Sequence, residues 1–124
     1  MKKLVLILVS FISLFAFSSE VELFGNLFKV MFKKDNIKVY TKNYQRLGIG
    51  LKIVNSCKEA DIVLGNVKCA NKPRFVLDYY SFKHNKEAIG GFYWRKGRPQ
   101  LRLRKDNLIK YKLFISKEFE GYLN

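Results

Sequence analysis

The chain has 124 residues, of which 24 are Lys or Arg and 10 are Asp or Glu, so its formal net charge is +14. Because 48% of the residues are hydrophobic, the composition excludes a disordered chain, and the length suits one small domain. The positive charge favours anionic partners, namely nucleic acid, lipid headgroups, cell-envelope polymers or an acidic protein face, although charge alone is equally typical of a solvated basic surface.

The N-terminus has the composition of an export signal. Two lysines precede an apolar run at residues 4–17, which is shorter than the roughly 20 residues that a spanning helix needs. Small residues at Ala16 and Ser18 fit a cleavage site directly after Ser18. We therefore predict a signal peptide at residues 1–18, a single α/β domain at residues 19–124, and a periplasmic or secreted location. The alternative is an uncleaved anchor helix.

The first half of the chain alternates between helical and strand patterns. Residues 21–34 place apolar side chains at helical intervals, and residues 37–41 alternate as a strand does. Residues 43–54 are ambiguous, because two glycines interrupt the alternating aliphatic residues, and we expect a short helix or loop leading into a strand. The apolar run at residues 60–65 predicts a buried strand.

The second half continues this alternation. Residues 74–78 predict another buried strand that ends in an acidic residue. Ser81 is placed to cap a helix that runs to Glu87, and Gly90-Gly91 are expected to break it.

A β-hairpin is the clearest local prediction. Residues 92–95 and 100–104 are aromatic-rich or strictly alternating, and they flank the segment 96–99, which contains Gly and Pro. Alternation in the second strand puts its leucines on one face and its arginines on the other.

Two short helices are predicted after the hairpin, at residues 107–112 with Asp106 as the cap and at residues 117–123 with Ser116 as the cap. Strands interleaved with helices in about 100 residues indicate an α/β domain. We predict a small single-domain three-layer fold with a mixed, mostly parallel sheet and a C-terminal β-hairpin followed by short helices.

The two cysteines bear on the topology. Cys57 precedes the strand at residues 60–65, and Cys69 lies between that strand and the one at residues 74–78. If these strands are parallel, the chain returns to the edge where the first one began and brings the cysteines together; if they form a hairpin, Cys69 lies at the opposite edge. We expect the parallel arrangement and a disulfide between Cys57 and Cys69, as an oxidising compartment favours. No His and no second Cys pair accompanies them, so no metal site is predicted.

Catalytic groups are scarce in the sequence. His84 is the single histidine, and a nucleophilic pair with Cys69 would need a free thiol. Asp61 begins one strand and Asp78 ends another, so a parallel sheet separates them and prevents joint acid-base work. Phosphate-binding glycine motifs do not occur in the sequence. We predict a protein that is not an enzyme and binds no cofactor.

Aromatic and basic residues in and near the hairpin are better represented. This composition is typical of surfaces that bind nucleic acid or sugar polymers by stacking and charge neutralisation. An alternative interpretation is that Phe92 and Trp94 share one strand face in the core while Tyr93 and Arg95 face water. The candidate binding residues are Tyr80, Tyr93, Arg95, Lys96, Arg98, Arg102 and Arg104.

The layout from residue 37 to residue 123 resembles that of the YfiR-like periplasmic proteins. In that family a Cys precedes an apolar strand, a glycine pair follows a Phe-bearing segment, and an alternating strand leads into helices. The matching features here are Cys57 ahead of ADIVLG, the strand RFVLD, the helix YYSFKHNKEA, Gly90-Gly91, the strand QLRLR and the closing KLFISKEFEGYL.

The resemblance implies a non-enzymatic periplasmic regulator that holds a membrane signalling enzyme, such as a diguanylate cyclase, in check through its extracytoplasmic domain, with the disulfide state affecting activity. This chain departs from the family in its shorter length and its larger aromatic hairpin. It also has Arg104-Lys105 where an acidic and an amide residue are usual.

Three hypotheses follow from these observations. The first is a regulator that binds the extracytoplasmic domain of a membrane protein. The second is a small anion- or solute-binding domain similar to half of a periplasmic solute-binding protein. The third, less favoured, is an envelope protein that binds nucleic acid, whose affinity would fall linearly with the logarithm of the salt concentration.

Overall fold

The computed structural model describes residues 20–123, so the predicted signal peptide lies outside the described residues. Within them, no helix is long and apolar enough to cross a membrane. The elements in chain order are α1 (Glu20–Phe32), β1 (Ile37–Thr41), β2 (Leu51–Val54), β3 (Ile62–Leu64), β4 (Arg74–Val76), α2 (Tyr79–His84), β5 (Gly90–Arg95), β6 (Arg98–Leu103), α3 (Lys105–Lys110) and a 3-10 helix (Lys117–Tyr122).

The six strands form one sheet in the order β2-β1-β3-β4-β5-β6. Strands β1 to β5 run parallel to their neighbours, and β6 is antiparallel to β5. The direction of strand addition reverses at β1, because β2 lies on one side of it and β3 on the other. The predicted α/β fold with a mixed, mostly parallel sheet and a C-terminal hairpin is confirmed.

Helices cover both faces of the sheet, because successive strand residues point to opposite sides. On β5, Phe92 belongs to the larger hydrophobic core and the adjacent Tyr93 to a smaller one. The larger core also contains Phe24 and Phe28 of α1, which are fully buried. The smaller core contains Phe82 of α2. The two helices therefore lie on opposite faces, as a three-layer fold requires.

The disulfide predicted between Cys57 and Cys69 is confirmed, and their Cα atoms are 5.5 Å apart. Because β3 and β4 are parallel, the connection between them returns to the edge at which β3 begins. Cys69 lies in that connection and Cys57 just before β3. The strand order thus supplies the proximity that a disulfide needs.

The hairpin has a shorter turn than its composition predicts. The turn consists of Lys96 and Gly97 alone, and their φ angles are 54° and 75°. Positive φ at both central residues is the requirement of a type I′ turn, whose twist matches that of the flanking strands. Pro99 is therefore inside β6, where it is tolerated because β6 is an edge strand.

The start and end of α2 differ from the prediction. Asp78 caps this helix, since its carboxylate accepts a hydrogen bond of 2.9 Å from the amide of Ser81. Asp78 lies two residues after the end of β4, in extended backbone, so the chain turns into the helix earlier than a cap at Ser81 would allow. The helix ends at His84 instead of continuing to Glu87.

The glycine pair has a different role from the predicted one. Gly90 and Gly91 begin β5 instead of breaking a helix. A Cβ atom on Gly90 would lie 2.5 Å from the carbonyl oxygen of Arg102, and one on Gly91 would lie 2.9 Å from a methyl group of Val76. Close packing of β5 against its neighbours therefore excludes a side chain at both positions.

The predicted caps of the last two helices are not formed by side chains. Arg104, not Asp106, is the N-cap residue of α3, and Asp106 lies in its first turn. Ser116 is the N-cap residue of the 3-10 helix as predicted, but its side chain makes no capping hydrogen bond. The buried Ser116 hydroxyl has no hydrogen-bond partner among residues 20–123.

Candidate binding surface

The hairpin extends past the rest of the sheet. Strand β4 pairs with β5 only at Gly90 and Gly91, whereas β6 pairs with β5 as far as Arg95. In this register Arg95 lies directly opposite Arg98, and Arg102 lies further along the same face. The end of the hairpin is thus a two-stranded ribbon with arginines along one face.

We call the residues Arg95, Lys96, Arg98 and Arg102 the cationic hairpin surface; all four are exposed. Like charges directly opposite each other on two strands are destabilising. Within the part of the chain that the structure describes, the only ion pair joins Lys34 to Asp61, so the cations of the hairpin are not neutralised there. The surface therefore concentrates positive charge that is available to an anionic group from another molecule.

An aromatic ring orients one of these cations. The guanidinium carbon of Arg95 lies 3.8 Å from the centre of the Tyr79 ring. Stacking on the ring holds the guanidinium plane in place and leaves its N–H groups at the edge, where they are free to bind a carboxylate or phosphate. Tyr79 itself packs edge-on against Tyr93, with 5.6 Å between ring centres.

The exposures of Tyr93 and Trp94 are the reverse of the interpretation in which Trp94 lies in the core and Tyr93 faces water. Tyr93 is only 6% exposed, and Trp94 is 55% exposed. The reason is the placement of the helices: Phe82 of α2 packs on Tyr93, whereas Trp94 lies beyond the buried part of α1, and its indole N–H points to a carboxylate oxygen of Glu20 at 3.4 Å. Tyr93 therefore supports the surface from below, and Trp94 is the accessible ring.

Arg104 has contacts that set it apart from the other arginines. Its guanidinium donates hydrogen bonds to the backbone carbonyl oxygens of Phe82 and Asn85 and lies 3.9 Å from the centre of the Phe82 ring. Burial lowers the pKa of Arg104, while the nearby carboxylate of Glu87 opposes that change. These contacts hold the C-terminal end of α2 on the sheet, so Arg104 has a structural role in the fold.

Tyr80 lies outside the hairpin. It is 69% exposed on α2, and the centre of its ring is 4.2 Å from that of His84. The two rings are four residues apart, which places them on one side of the helix. The structure therefore brings Tyr80 together with the single histidine instead of with the arginines.

Polar residues beyond the ends of β3 and β4 form a cluster that the sequence did not reveal. The Ser81 hydroxyl lies 2.9 Å from a side-chain oxygen of Asn66, and Ser81 is also held by Asp78. This edge is also the carboxyl edge of β1, where the strand order reverses, and crevices at such points bind ligands in many open α/β sheets. Sequence reasoning missed this cluster because it did not predict the order of the strands. A predicted order in which β1 lies between β2 and β3 would have pointed to this edge of the sheet.

The remaining candidate chemical groups are engaged in the fold. Both cysteine sulfurs form the disulfide, so Cys69 offers no thiol to His84. The carboxylate of Asp61 accepts the amide of Lys38 at 2.9 Å and pairs with Lys34 at 3.0 Å. Partial burial raises the pKa of Asp61, but this hydrogen bond and ion pair outweigh it, so the pKa lies below its ordinary value.

A second carboxylate that is engaged in the fold, that of Glu20, lies at the start of α1. Glu20 accepts a hydrogen bond of 2.5 Å from the Tyr44 hydroxyl and also receives the Trp94 indole. Burial, together with the hydrogen bond and the charge of Glu20, raises the pKa of Tyr44. Across residues 20–123 no group of three or more His, Cys, Asp or Glu side chains is arranged to hold a metal ion.

Comparison of the chain with models of known families, with curated proteins and with solved structures gives no match. The resemblance to the YfiR-like proteins therefore stays a prediction.

Proposed function

We propose that this protein is an exported, non-enzymatic binding domain that regulates a membrane signalling protein. In this proposal the cationic hairpin surface docks on an acidic patch of the partner's extracytoplasmic domain. The confirmed disulfide is compatible with an oxidising compartment outside the cytoplasm.

The observation that carries the proposal is the direct opposition of Arg95 and Arg98 on the ribbon. This arrangement lowers the stability of the isolated domain through charge repulsion. A partner that places carboxylates between the two guanidinium groups would convert the repulsion into charge-assisted hydrogen bonds. Lys96 at the turn and Arg102 along the same face widen the area that an acidic surface would contact.

The shape of the surface favours a macromolecule over a small solute. Three cavities of about 360 to 400 Å³ lie elsewhere on the domain, and no hairpin residue lines them. A projecting ribbon instead presents its side chains outward, as protein-binding surfaces do. Trp94 is exposed on the opposite face of the same ribbon and adds a residue type that is enriched in protein interfaces.

Site-specific crosslinking in native cell envelopes tests the proposal. A photoreactive residue replaces Lys96, and the matched control carries it at exposed Lys52 on β2, the opposite edge of the sheet. We expect the hairpin probe to capture one membrane protein with an acidic extracytoplasmic domain. The variant Arg98→Glu/Arg102→Glu should abolish this capture. A capture limited to abundant envelope proteins, and unchanged in the double variant, contradicts the proposal.

A small anion is the second candidate ligand. The stacked guanidinium of Arg95 favours it, because a fixed fork of N–H groups binds an oxyanion in a bidentate manner. Calorimetric titration with phosphate, a sugar and a polyanion tests this alternative. Phosphate binding that is lost in Arg95→Lys, without any captured membrane protein, would favour it over the regulator.

A further inference from the structure

A second exposed surface lies on α3 and the residues that follow it. Ile109 is 62% exposed and Phe114 is 45% exposed. Both belong to the segment of residues 105–117, which we call the α3 surface. Two large apolar side chains are thus exposed within one short segment, and their surroundings decide whether the segment is an interaction site.

The backbone holds these side chains in place. The amide of Phe114 donates a 2.9 Å hydrogen bond to the carbonyl oxygen of Met31, and the amide of Leu113 donates one of 2.9 Å to that of Leu108. Two open cavities of about 380 and 400 Å³ flank the segment, and Leu113 lines both. The backbone of the α3 surface is thus fixed by hydrogen bonds, and its apolar side chains project from an ordered segment.

Lysines surround the apolar side chains. The segment contains four lysines and one acidic residue, Asp106, so its own charge is 4 − 1 = +3. Lys105, Lys110 and Lys112 are exposed. From α1, the ammonium group of Lys33 lies 4.3 Å from the centre of the Phe114 ring. Cations that flank projecting apolar groups match the two layers of a lipid leaflet, in which phosphates lie above acyl chains.

We propose that the α3 surface binds an anionic phospholipid bilayer, with Ile109 and Phe114 entering the interface and the lysines contacting lipid phosphates. Apolar insertion alone, or basic charge alone, gives weak and reversible attachment, and the combination makes it stable. This inference does not depend on the proposed function of the hairpin.

The position of the α3 surface in the fold gives the attachment an orientation. Phe114 is tied to Met31 near the end of α1, next to the edge at which β1 begins at Ile37. The hairpin turn projects from the opposite edge, at which the parallel strand β5 ends. A domain attached through the α3 surface therefore directs its cationic hairpin away from the bilayer, towards any protein domain that stands above it.

A position-specific probe separates this contact from any other membrane affinity of the chain. Trp94 is the single tryptophan, so Trp94→Phe/Phe114→Trp places one fluorophore on the α3 surface. The matched control is Trp94→Phe/Tyr80→Trp, because Tyr80 is 69% exposed at the start of α2, beyond the opposite edge of the sheet, at which the parallel strands end. Both full-length variants are mixed with vesicles of phosphatidylglycerol and brominated phosphatidylcholine, and then with vesicles that lack phosphatidylglycerol.

We expect the bromine atoms to quench the probe at position 114 strongly in anionic vesicles and weakly in neutral ones, with little quenching at position 80. Replacing Lys105, Lys110 and Lys112 by Gln should weaken the quenching-derived affinity by on the order of a hundredfold. The same charge change at Lys42, Lys52 and Lys68, which are also exposed, should weaken it far less.

Three results would overturn the inference: no quenching at position 114, equal quenching in neutral vesicles, or equal quenching at position 80. Free glycerol phosphate should not displace the protein, because it lacks acyl chains, and displacement would assign the site to a soluble phosphate instead. If the α3 surface instead binds an acidic helix of another protein, lipid would not quench the probe at position 114.

Discussion

Replacing Arg104 should destabilise the domain, although the neighbouring Arg102 can be removed at little cost. Both arginines belong to the same alternating strand segment and were grouped together on sequence grounds. In the structure, only Arg104 donates hydrogen bonds to the carbonyl oxygens of Phe82 and Asn85 and stacks on the Phe82 ring. Arg102 is exposed.

The size of the effect follows from these contacts. A hydrogen bond from a charged donor contributes about 1.5–3 kcal/mol when it is buried, and we take about 1 kcal/mol for each of these because water reaches part of the site. Stacking of the guanidinium on Phe82 adds about 0.5–1 kcal/mol. We therefore expect Arg104→Ala to lower the free energy of unfolding by about 2.5–3 kcal/mol, and the melting temperature by roughly 10 °C.

Urea unfolding of the two variants side by side measures this difference. Arg102→Ala should stay within about 0.5 kcal/mol of the parent protein. Arg104→Lys keeps the charge but loses the planar fork, so it should fall between the parent and Arg104→Ala. If Arg104→Ala is as stable as Arg102→Ala, the guanidinium does not hold α2 in place, and Arg104 would return to the set of candidate binding residues.

Three further predictions concern the disulfide, two glycines and the ion pair between Lys34 and Asp61. Removing the bridge with Cys57→Ser/Cys69→Ser should cost about 3 kcal/mol, and a reductant should then change the unfolding curve of the parent but not of the variant; equal curves for parent and variant without reductant would contradict this. Gly90→Ala should destabilise by several kcal/mol because its methyl group would lie 2.5 Å from a backbone carbonyl oxygen. Gly97→Ala should cost only about 1 kcal/mol, since its φ is +75° but the space around it is open; similar losses in urea unfolding for the two glycine variants would show that β5 does not pack as described. Because the pKa of Asp61 is lowered on folding, its contribution is present above the unfolded value of about 3.9 and is lost as the pH falls through the folded pKa. Asp61→Asn should therefore reduce the loss of stability below about pH 4 by less than about 1 kcal/mol, because solvent reaches both members of the pair and screens them. A dependence of stability on pH that is the same in parent and variant would refute this role.

Local patterns in the sequence determined the elements and much of their pairing. The helix at Glu20–Phe32 and the strand at Ile37–Thr41 follow from their periodicity. The disulfide followed from the positions of the two cysteines around β3, once the strands were taken as parallel. The outward direction of Arg102 and the burial of Leu101 also followed from strict alternation. Each of these features depends on residues that are close in the chain, for which side-chain direction is set by backbone geometry alone.

The tertiary structure decided which faces became buried and which cations remained available. Alternation put Tyr93 and Trp94 on opposite sides of β5, but the positions of α1 and α2 determined that Tyr93 is covered and Trp94 is not. Arg104 became a structural residue because α2 ends within reach of its guanidinium. Burial and charge neutralisation depend on contacts between residues that are distant in the chain. The periodicity of a local segment does not encode those contacts.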